Sequence, residues 1–197
     1  MKNLETNLTS FAKLSSCKRY RYFLSREWDP QLPYLLFIGL NPSTADAEKN
    51  DRTTHKLIEI VKSWKRYGGL IIVNLYAFID TKQNEIWSLP SIEEMIGTKN
   101  REVIEDIINR DDIGMIIVGW GNNVVNWRGS KVVPDIYFQQ IQDIYDFVLR
   151  KADKELYCLG YNQGGMPAHP LSSAIPYPQK ELMTPQLYTL KHIELSI

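Results

Sequence analysis

The sequence predicts an α/β fold, namely a three-layer α/β/α sandwich on a mostly parallel four-stranded core sheet, with an extra antiparallel hairpin strand at one edge. Two observations predict it. Short apolar runs alternate along the chain with segments of helical periodicity, which is typical of parallel sheets covered by helices. Each apolar run then ends in polar, aromatic or glycine residues. Ligands bind at such strand ends in open α/β sheets.

Four apolar runs supply the predicted core strands. They are residues 34–39, 70–75, 115–118 and 156–159. The run 70–75 is apolar at every position except Asn74, as expected of a strand that is buried on both faces.

Three segments between these strands have the periodicity of helices. Leu57, Val61 and Trp64 form one apolar stripe, and Asp51 stands where the N-cap of that helix is expected. Residues 100–110 and 134–150 carry the other two stripes.

Basic and aromatic residues interleave just before the first core strand. We expect residues 19–26 to form an edge strand that pairs with strand 34–39 through the turn at 29–33. The basic residues of this strand could form a solvated edge, or they could contact nucleic-acid phosphates. The candidates for phosphate contacts are Lys18, Arg19, Arg21 and Arg26.

Length and composition predict a single domain over residues 1–197, with an N-terminal annex at 1–17 and an irregular tail at 173–197. Lys and Arg number 23 and so do Asp and Glu, so the net charge is zero, which argues against a strongly electrostatic nucleic-acid binder. The N-terminus has no signal-peptide pattern and the two cysteines lie far apart, so we expect a cytoplasmic protein. No cofactor is expected, and the oligomeric state stays open.

The predicted strand ends bring together amide, hydroxyl, imidazole, carboxylate and aromatic side chains. This mixture suits a planar ligand that is hydrogen-bonded and stacked, such as a nucleobase. An Asn amide offers a donor beside an acceptor, which matches the edge of uracil or thymine, and Tyr76 or Trp120 could stack on the ring. The four strand-end segments are 41–46, 74–76, 120–123 and 169–172.

Each of these residues also has a structural interpretation. Asn41 before a proline could only form a turn, and Asn74 could only satisfy backbone groups. His169 could be an ordinary loop histidine, and Asp46 and Asp51 could be helix caps. No Gly-x-Ser-x-Gly motif surrounds Ser43, so a hydrolase nucleophile is not expected. The three histidines lack the spacing of a zinc site.

Several motifs together resemble a bacterial and phage family, the domain of unknown function 1643 family. The resemblance covers most of the chain and implies no activity. Its motifs are Arg19-Tyr20-x-x-x-Leu24-x-Arg26-x-Trp28, Asn41-Pro42-Ser43-Thr44-Ala45-Asp46, Asn74-Leu75-Tyr76-Ala77, Gly119-Trp120-Gly121 and Gly160…Gly165-x-Pro167-x-His169-Pro170-Leu171.

The order of four motifs is also similar to that of the uracil-DNA glycosylase superfamily. The motifs are Gly39-Leu40-Asn41-Pro42-Ser43, Ile71-Ile72-Val73-Asn74, Ile116-Ile117-Val118-Gly119-Trp120-Gly121 and His169-Pro170-Leu171-Ser172. The resemblance implies that Asn41, with Asp46, places a water, that Asn74 reads a pyrimidine edge, and that His169 stabilises the departing base. Ser43 and Ser172 are expected to contact the substrate, and the His loop to enter the DNA minor groove.

The sequence departs from that superfamily in the residues that carry its chemistry. Asn41 stands where the most active branch has an aspartate, and the His motif lacks its internal Ser-Pro. Three hypotheses follow. The first is a nucleobase pocket that hydrolyses the N-glycosidic bond of a deaminated or modified pyrimidine. The second is a non-catalytic module that binds a nucleotide, a modified base or nucleic acid. The third is a hydrolase or transferase that acts on free nucleosides.

Overall fold

A computed structural model describes residues 8–80, 86, 89–121, 133–162, 165–175 and 184–189, without the side chains of 133–138. The predictions for Asn122 and Asn123, for residues 1–7 and for much of the tail lie outside these residues. The strands are β1 (Thr9–Leu14), β2 (Arg21–Glu27), β3 (Tyr34–Gly39), β4 (Gly69–Asn74), β5 (Ile113–Val118), β6 (Leu156–Cys158) and β7 (Gln186–Leu187). The helices are α1 (Arg52–Ser63), α2 (Ile92–Ile96), α3 (Asn100–Ile108) and α4 (Val133–Asp146), and α4 continues into a π-helical turn, Phe147–Lys151.

The seven strands form one mixed sheet in the order β1-β2-β4-β3-β5-β6-β7. The pairs β4–β3, β3–β5 and β5–β6 are parallel, and the pairs β1–β2, β2–β4 and β6–β7 are antiparallel. The predicted α/β class is therefore confirmed. The description of the sheet as mostly parallel is corrected, because three of its six pairings are antiparallel.

Alternate residues of β3 face two separate hydrophobic clusters. Leu36 and Ile38 pack in one cluster with residues of α3 and α4, and Leu35 and Phe37 pack in the other with residues of α1. Helices therefore cover both faces of the sheet. This arrangement explains why β3 and β4 are apolar at nearly every position.

The predicted hairpin of residues 19–26 with strand 34–39 is wrong. β2 pairs with β4 instead, and β1 pairs with the other side of β2 as the edge strand. Trp28 and Asp29 donate their backbone N–H groups to the carbonyl oxygen of Gly68, which lies just before β4. These bonds hold the end of β2 beside the start of β4 rather than beside β3.

The two ends of the described chain contain more structure than predicted. The segment predicted as an N-terminal annex includes strand β1, and the segment predicted as an irregular tail includes β7. The predicted N-cap of α1 is confirmed, because Asp51 Oδ1 accepts a hydrogen bond of 2.8 Å from the backbone N–H of Thr54.

None of the helices in the described residues combines the length and the apolar composition needed to cross a membrane.

Candidate functional site

A cavity of about 570 Å³ lies at the carboxyl ends of β3, β4 and β5. Seven of the twelve site residues predicted from the sequence line it, and they come from five separate stretches of the chain. The seven are Arg21, Asn41, Ser43, Asn74, Trp120, His169 and Ser172. Parallel strands end at a common rim, and this rim is where such folds place their ligand sites.

The ring of Phe37 forms part of the cavity wall, and two glycines make room for it. A Cβ added at Gly39 would lie 3.2 Å from the ring, and one added at Gly119 would lie 2.7 Å from it. The two glycines end β3 and follow β5, so neighbouring strands leave a recess that a side chain would fill. The sequence does not single out Phe37, because inside an apolar strand run nothing distinguishes a ring that borders a cavity from one in the core.

Asn74 lies at the end of β4, is 4% exposed and is held from two sides. Its side-chain Oδ1 accepts a hydrogen bond of 3.2 Å from Nη2 of Arg21. Its backbone carbonyl accepts a bond of 2.9 Å from Nδ2 of Asn100, which is itself fully buried in α3. The Asn100 bond thus holds the backbone at the end of β4, and the Arg21 bond contacts the amide at the cavity.

Arg21 is an unusual residue for the interior, because it is 3% exposed and its hydrogen bonds go to neutral oxygens. Nη1 donates to the carbonyl of Ala45 at 2.8 Å, and Nη2 donates to Asn74. Burial lowers the pKa of its guanidinium to about 10, and the charge of Asp51 opposes that shift. Arg21 thus stays protonated at neutral pH and links the 41–46 loop to β4.

The Asn41–Asp46 loop contributes two side chains to the cavity and turns its carboxylate away. Asn41 Nδ2 donates to the carbonyl of Pro42 at 3.3 Å, which leaves the Oδ1 of Asn41 as the acceptor. Asp46 is exposed and does not line the cavity. Its Oδ1 accepts the backbone N–H groups of Glu48 and Lys49, and these bonds lower the pKa of its carboxyl. Asp46 therefore shapes the turn that precedes α1.

Among the residues that the structure describes, Asp51 is the carboxylate that lines the cavity. One of its oxygens caps α1, and its charge acts on both Arg21 and His169. The sequence left Asp51 open as a helix cap or as a catalytic group. Because α1 begins beside the strand ends, the residue that caps α1 also faces the cavity.

His169 is half-buried in the loop that follows β6. Its Nδ1 accepts a hydrogen bond of 3.2 Å from the backbone N–H of Leu171. Burial lowers the pKa of the imidazole, and the charge of Asp51 opposes the shift. A neutral ring with Nδ1 as acceptor carries its proton on Nε2, so His169 can act as a hydrogen-bond donor.

Backbone hydrogen bonds anchor the loop that carries His169. Gly121 donates to the carbonyl of Pro167 at 3.0 Å, and Ala168 donates to Gly160 at 2.8 Å. Ser172 Oγ donates to Oδ1 of Asn162, which also lines the cavity. The loop is therefore tied to the end of β5 and to itself, and it holds His169 and Ser172 at the rim.

Of the two residues predicted to stack on a base, one lines the cavity and the other does not. Trp120 lines the cavity and is 1% exposed, with its ring edge-to-face against Tyr188. Tyr76 is fully buried in the core and does not line the cavity, and burial raises the pKa of its hydroxyl. Tyr76 lies two residues beyond the end of β4, where the chain has already turned into the core.

The four residues predicted to contact phosphates also differ in their burial and in whether they line the cavity. Arg26 is 2% exposed, and its guanidinium donates to Asn50 Oδ1 and to the carbonyls of Ser25 and Asp46. These bonds hold Arg26 against the 46–50 loop, whereas its phosphate contact stays a prediction. Lys18 and Arg19 are exposed but do not line the cavity, and the Arg19 guanidinium lies 5.3 Å above the ring of Phe78.

A second cavity of about 540 Å³ lies beside α1 and adjoins the first. Leu171 and Ser172 line both cavities. Arg52 and His55, both exposed, line the second. In the described part of the chain, no group of three or more His, Cys, Asp or Glu side chains is placed to hold a metal ion.

The fold and the site together define an α/β protein with a cavity at the ends of its parallel strands that both polar and apolar side chains line. Residues 21–171 match the family model described as "Protein of unknown function (DUF1643)". The chain therefore belongs to this family, as its motifs predicted. No curated protein and no solved structure matches it.

Proposed function

We propose that this cavity binds a nucleobase and that the protein hydrolyses the N-glycosidic bond of a deaminated or modified pyrimidine. One observation carries the proposal. Asn41, Asn74 and His169, which the sequence separates by up to 128 positions, line a single cavity of about 570 Å³. Cavities of small-molecule sites lie in the range of about 300–1,000 Å³.

The reaction requires a base held by its edge and a water placed at the anomeric carbon. Asn74 would bind the edge of the base, and the ring of Phe37 would contact its face. Asn41 Oδ1 would accept a hydrogen bond from the attacking water. Asp51, rather than Asp46, is the carboxylate on the cavity side, and it would take the proton of that water.

The water oxygen forms a bond to the anomeric carbon while the carbon–nitrogen bond breaks, and the base leaves with the electron pair. Negative charge then develops on the base, and the Nε2–H of a neutral His169 would stabilise it as a hydrogen-bond donor. Burial lowers the pKa of His169 and so favours the neutral ring, which suits a donor role.

The second cavity provides room for a substrate that is longer than a nucleoside. Because Leu171 and Ser172 line both spaces, a chain longer than a nucleoside could continue from the first into the second. Arg52 is an exposed cation along that path.

Base release from oligonucleotides that contain uracil or a modified pyrimidine, and from free nucleosides, tests the proposal. Release from oligonucleotides alone supports a nucleic-acid substrate, and release from nucleosides alone supports a nucleoside hydrolase. A ligand-induced rise in Tm without release would assign a non-catalytic binding module. The absence of both binding and release would overturn the proposal.

Two matched variants locate the carboxylate that accepts the proton. Asp51→Asn keeps an N-cap of equal quality, and we expect it to slow release by about 10²-fold or more, as for a lost general base. Asp46→Asn keeps the oxygen that accepts the Glu48 and Lys49 N–H groups, and we expect unchanged rates. The reverse result would assign the role to Asp46.

A further inference from the structure

One face of α1 lines the second cavity. The titratable side chains on this face are Arg52, His55, Lys56 and Glu59, which stand at positions i, i+3, i+4 and i+7. Residues with this spacing lie along the same side of a helix. Asp51, which precedes them, lines the first cavity instead. The start of α1 therefore borders both spaces.

The two cavities differ in the formal charge of the described side chains that line them. In the first, the positive charge of Arg21 is balanced by the negative charge of Asp51. The second has two cations, Arg52 and Lys56, and one anion, Glu59, which leaves an excess of one positive charge when histidine is neutral. The charges therefore favour a ligand whose uncharged part lies in the first cavity and whose negative charge lies in the second.

Arg52 is available to such a ligand. Its side chain is exposed, and within the described residues its guanidinium takes part in no hydrogen bond, ion pair or ring contact. Lys56, by contrast, is 7% exposed and its Nζ is enclosed by the protein. The planar fork of an arginine matches two oxygens of a phosphate, and such charge-assisted hydrogen bonds are stronger than neutral ones.

The loop after β6 supplies the rest of the described lining. Ser173 is exposed there, and its hydroxyl and backbone N–H make no hydrogen bond within the part of the chain that the structure describes. The hydroxyl of Ser172 is already used, because it donates to Asn162 and accepts from the backbone N–H of Ala174. Unused donors therefore border the second cavity from both elements, from Arg52 on α1 and from Ser173 on the loop.

We propose that the second cavity is a phosphate-binding subsite, in which Arg52 contacts a phosphate ester of the nucleoside that lies in the first cavity. This inference rests on the proposed nucleobase site and narrows its substrate class from nucleosides to phosphorylated nucleosides. Leu171 and Ser172 line both cavities, so the sugar would lie beside them and the phosphate beyond them. The subsite is distinct from the basic stretch at residues 18–26, for which the sequence predicts phosphate contacts.

Calorimetric titration with uridine and with its 5′- and 3′-monophosphates tests the subsite. We expect one of the two monophosphates to bind about tenfold or more tightly than uridine, as for one charge-assisted contact. Arg52→Gln should bring the affinity for that monophosphate within about threefold of that for uridine. Its affinity for uridine should stay that of the wild type, because the base lies in the other cavity.

Arg150→Gln is the matched control, because it removes the same charge from a side chain that is 78% exposed and lines neither cavity. It should keep the full gain from the phosphate. The inference would be overturned by a wild type that binds neither monophosphate more tightly than uridine, by a gain that Arg52→Gln keeps, or by equal losses in Arg52→Gln and Arg150→Gln. A loss in Arg19→Gln instead would place the phosphate at residues 18–26 and would also overturn it.

A short single-stranded oligonucleotide that contains uracil distinguishes the two sources of phosphate. Binding tighter than that of either monophosphate, with a plot of log K against log salt that is shallower by about one in Arg52→Gln, would assign a nucleic-acid phosphate to the subsite. Binding of a monophosphate without binding of the oligonucleotide would assign a free nucleotide. Tight binding of the oligonucleotide with the same salt dependence in both proteins would overturn the inference.

Inorganic pyrophosphate separates this inference from the proposed function, because it carries no base. If no nucleoside or nucleotide binds, the nucleobase site fails, and the rise in Tm that pyrophosphate causes at constant ionic strength tests the subsite by itself. A rise in the wild type that Arg52→Gln lacks would support the phosphate subsite. A rise that both proteins share, or no rise in either, would overturn it together with the nucleobase site.

Discussion

At the scale of single residues, burial decides what each arginine does. Arg19, Arg21 and Arg26 lie on one short stretch that reads as a basic edge. Arg19 is exposed, Arg21 borders the cavity, and Arg26 is enclosed by the 46–50 loop. Charge alone does not distinguish them in the sequence, because the difference arises from the loop that folds over β2.

Arg26 is expected to stabilise the fold. Its guanidinium satisfies the Oδ1 of Asn50 and several loop carbonyls, and Arg26→Ala would leave these oxygens without their donors. We expect a loss of about 2–4 kcal/mol in the free energy of unfolding, measured by urea denaturation. Arg150→Ala is the control, because its side chain is 78% exposed, and it should cost about 0.5 kcal/mol or less. Equal effects of the two variants would contradict an internal role.

His169 is expected to make the folded protein less stable as the pH falls. Burial lowers the pKa of His169 in the folded state, so the unfolded chain takes up a proton more readily. Its stabilising contribution is complete above the unfolded pKa of about 6.5, and it is lost as the pH falls below that value toward the folded pKa. Urea unfolding of wild type and His169→Asn from about pH 7.5 to 5.5 tests this. We expect the wild type to lose more stability over that range; parallel curves would contradict the shift.

At the scale of elements, the strand ends provide the site with space as well as side chains. Gly39 and Gly119 stand at the ends of neighbouring parallel strands, and the ring of Phe37 occupies the room that their missing Cβ atoms leave. The loop after β6 then adds His169 from a distant part of the chain.

Gly39→Ala is expected to weaken ligand binding at the site as well as to lower the free energy of unfolding. Its Cβ would lie 2.7 Å from Nδ2 of Asn74, so the amide must shift. We expect about tenfold weaker binding of uridine, and a loss of about 1–3 kcal/mol in the free energy of unfolding.

Gly160→Ala is the matched control for this prediction. The nearest atom to its added Cβ is the Ala174 carbonyl at 3.8 Å, which is an ordinary contact. We expect its affinity to stay close to that of the wild type. Equal losses in the two variants would contradict the role of Gly39.

At the scale of the whole molecule, strand β3 contributes side chains to both hydrophobic clusters. Leu36 faces the α3–α4 side of the sheet and Leu35 faces the α1 side, and both are fully buried. Losing packing on either side should therefore destabilise the same sheet.

Leu36→Ala and Leu35→Ala are each expected to cost about 2–5 kcal/mol. Because β3 belongs to both clusters, each variant should unfold in one transition, with tryptophan fluorescence and far-ultraviolet circular dichroism coinciding. Separate transitions for the two probes would show that the two cores unfold independently.

The sequence by itself determined the α/β class, the core strands, the Asp51 cap and the family. It did so because these depend on local periodicity, on turn chemistry and on motifs that are contiguous in the chain. It also indicated Asn41, Asn74 and His169 as a set, since parallel strands end at one rim.

Only the tertiary structure decided which carboxylate faces the cavity, which arginines are buried and which strand β2 joins. Asp46 and Asp51 are both plausible loop carboxylates in the sequence. They differ only in how the turn before α1 directs them, Asp46 toward its own backbone and Asp51 toward the cavity. The Asn74 amide likewise contacts Arg21, 53 positions away, and no local pattern records a contact of that kind.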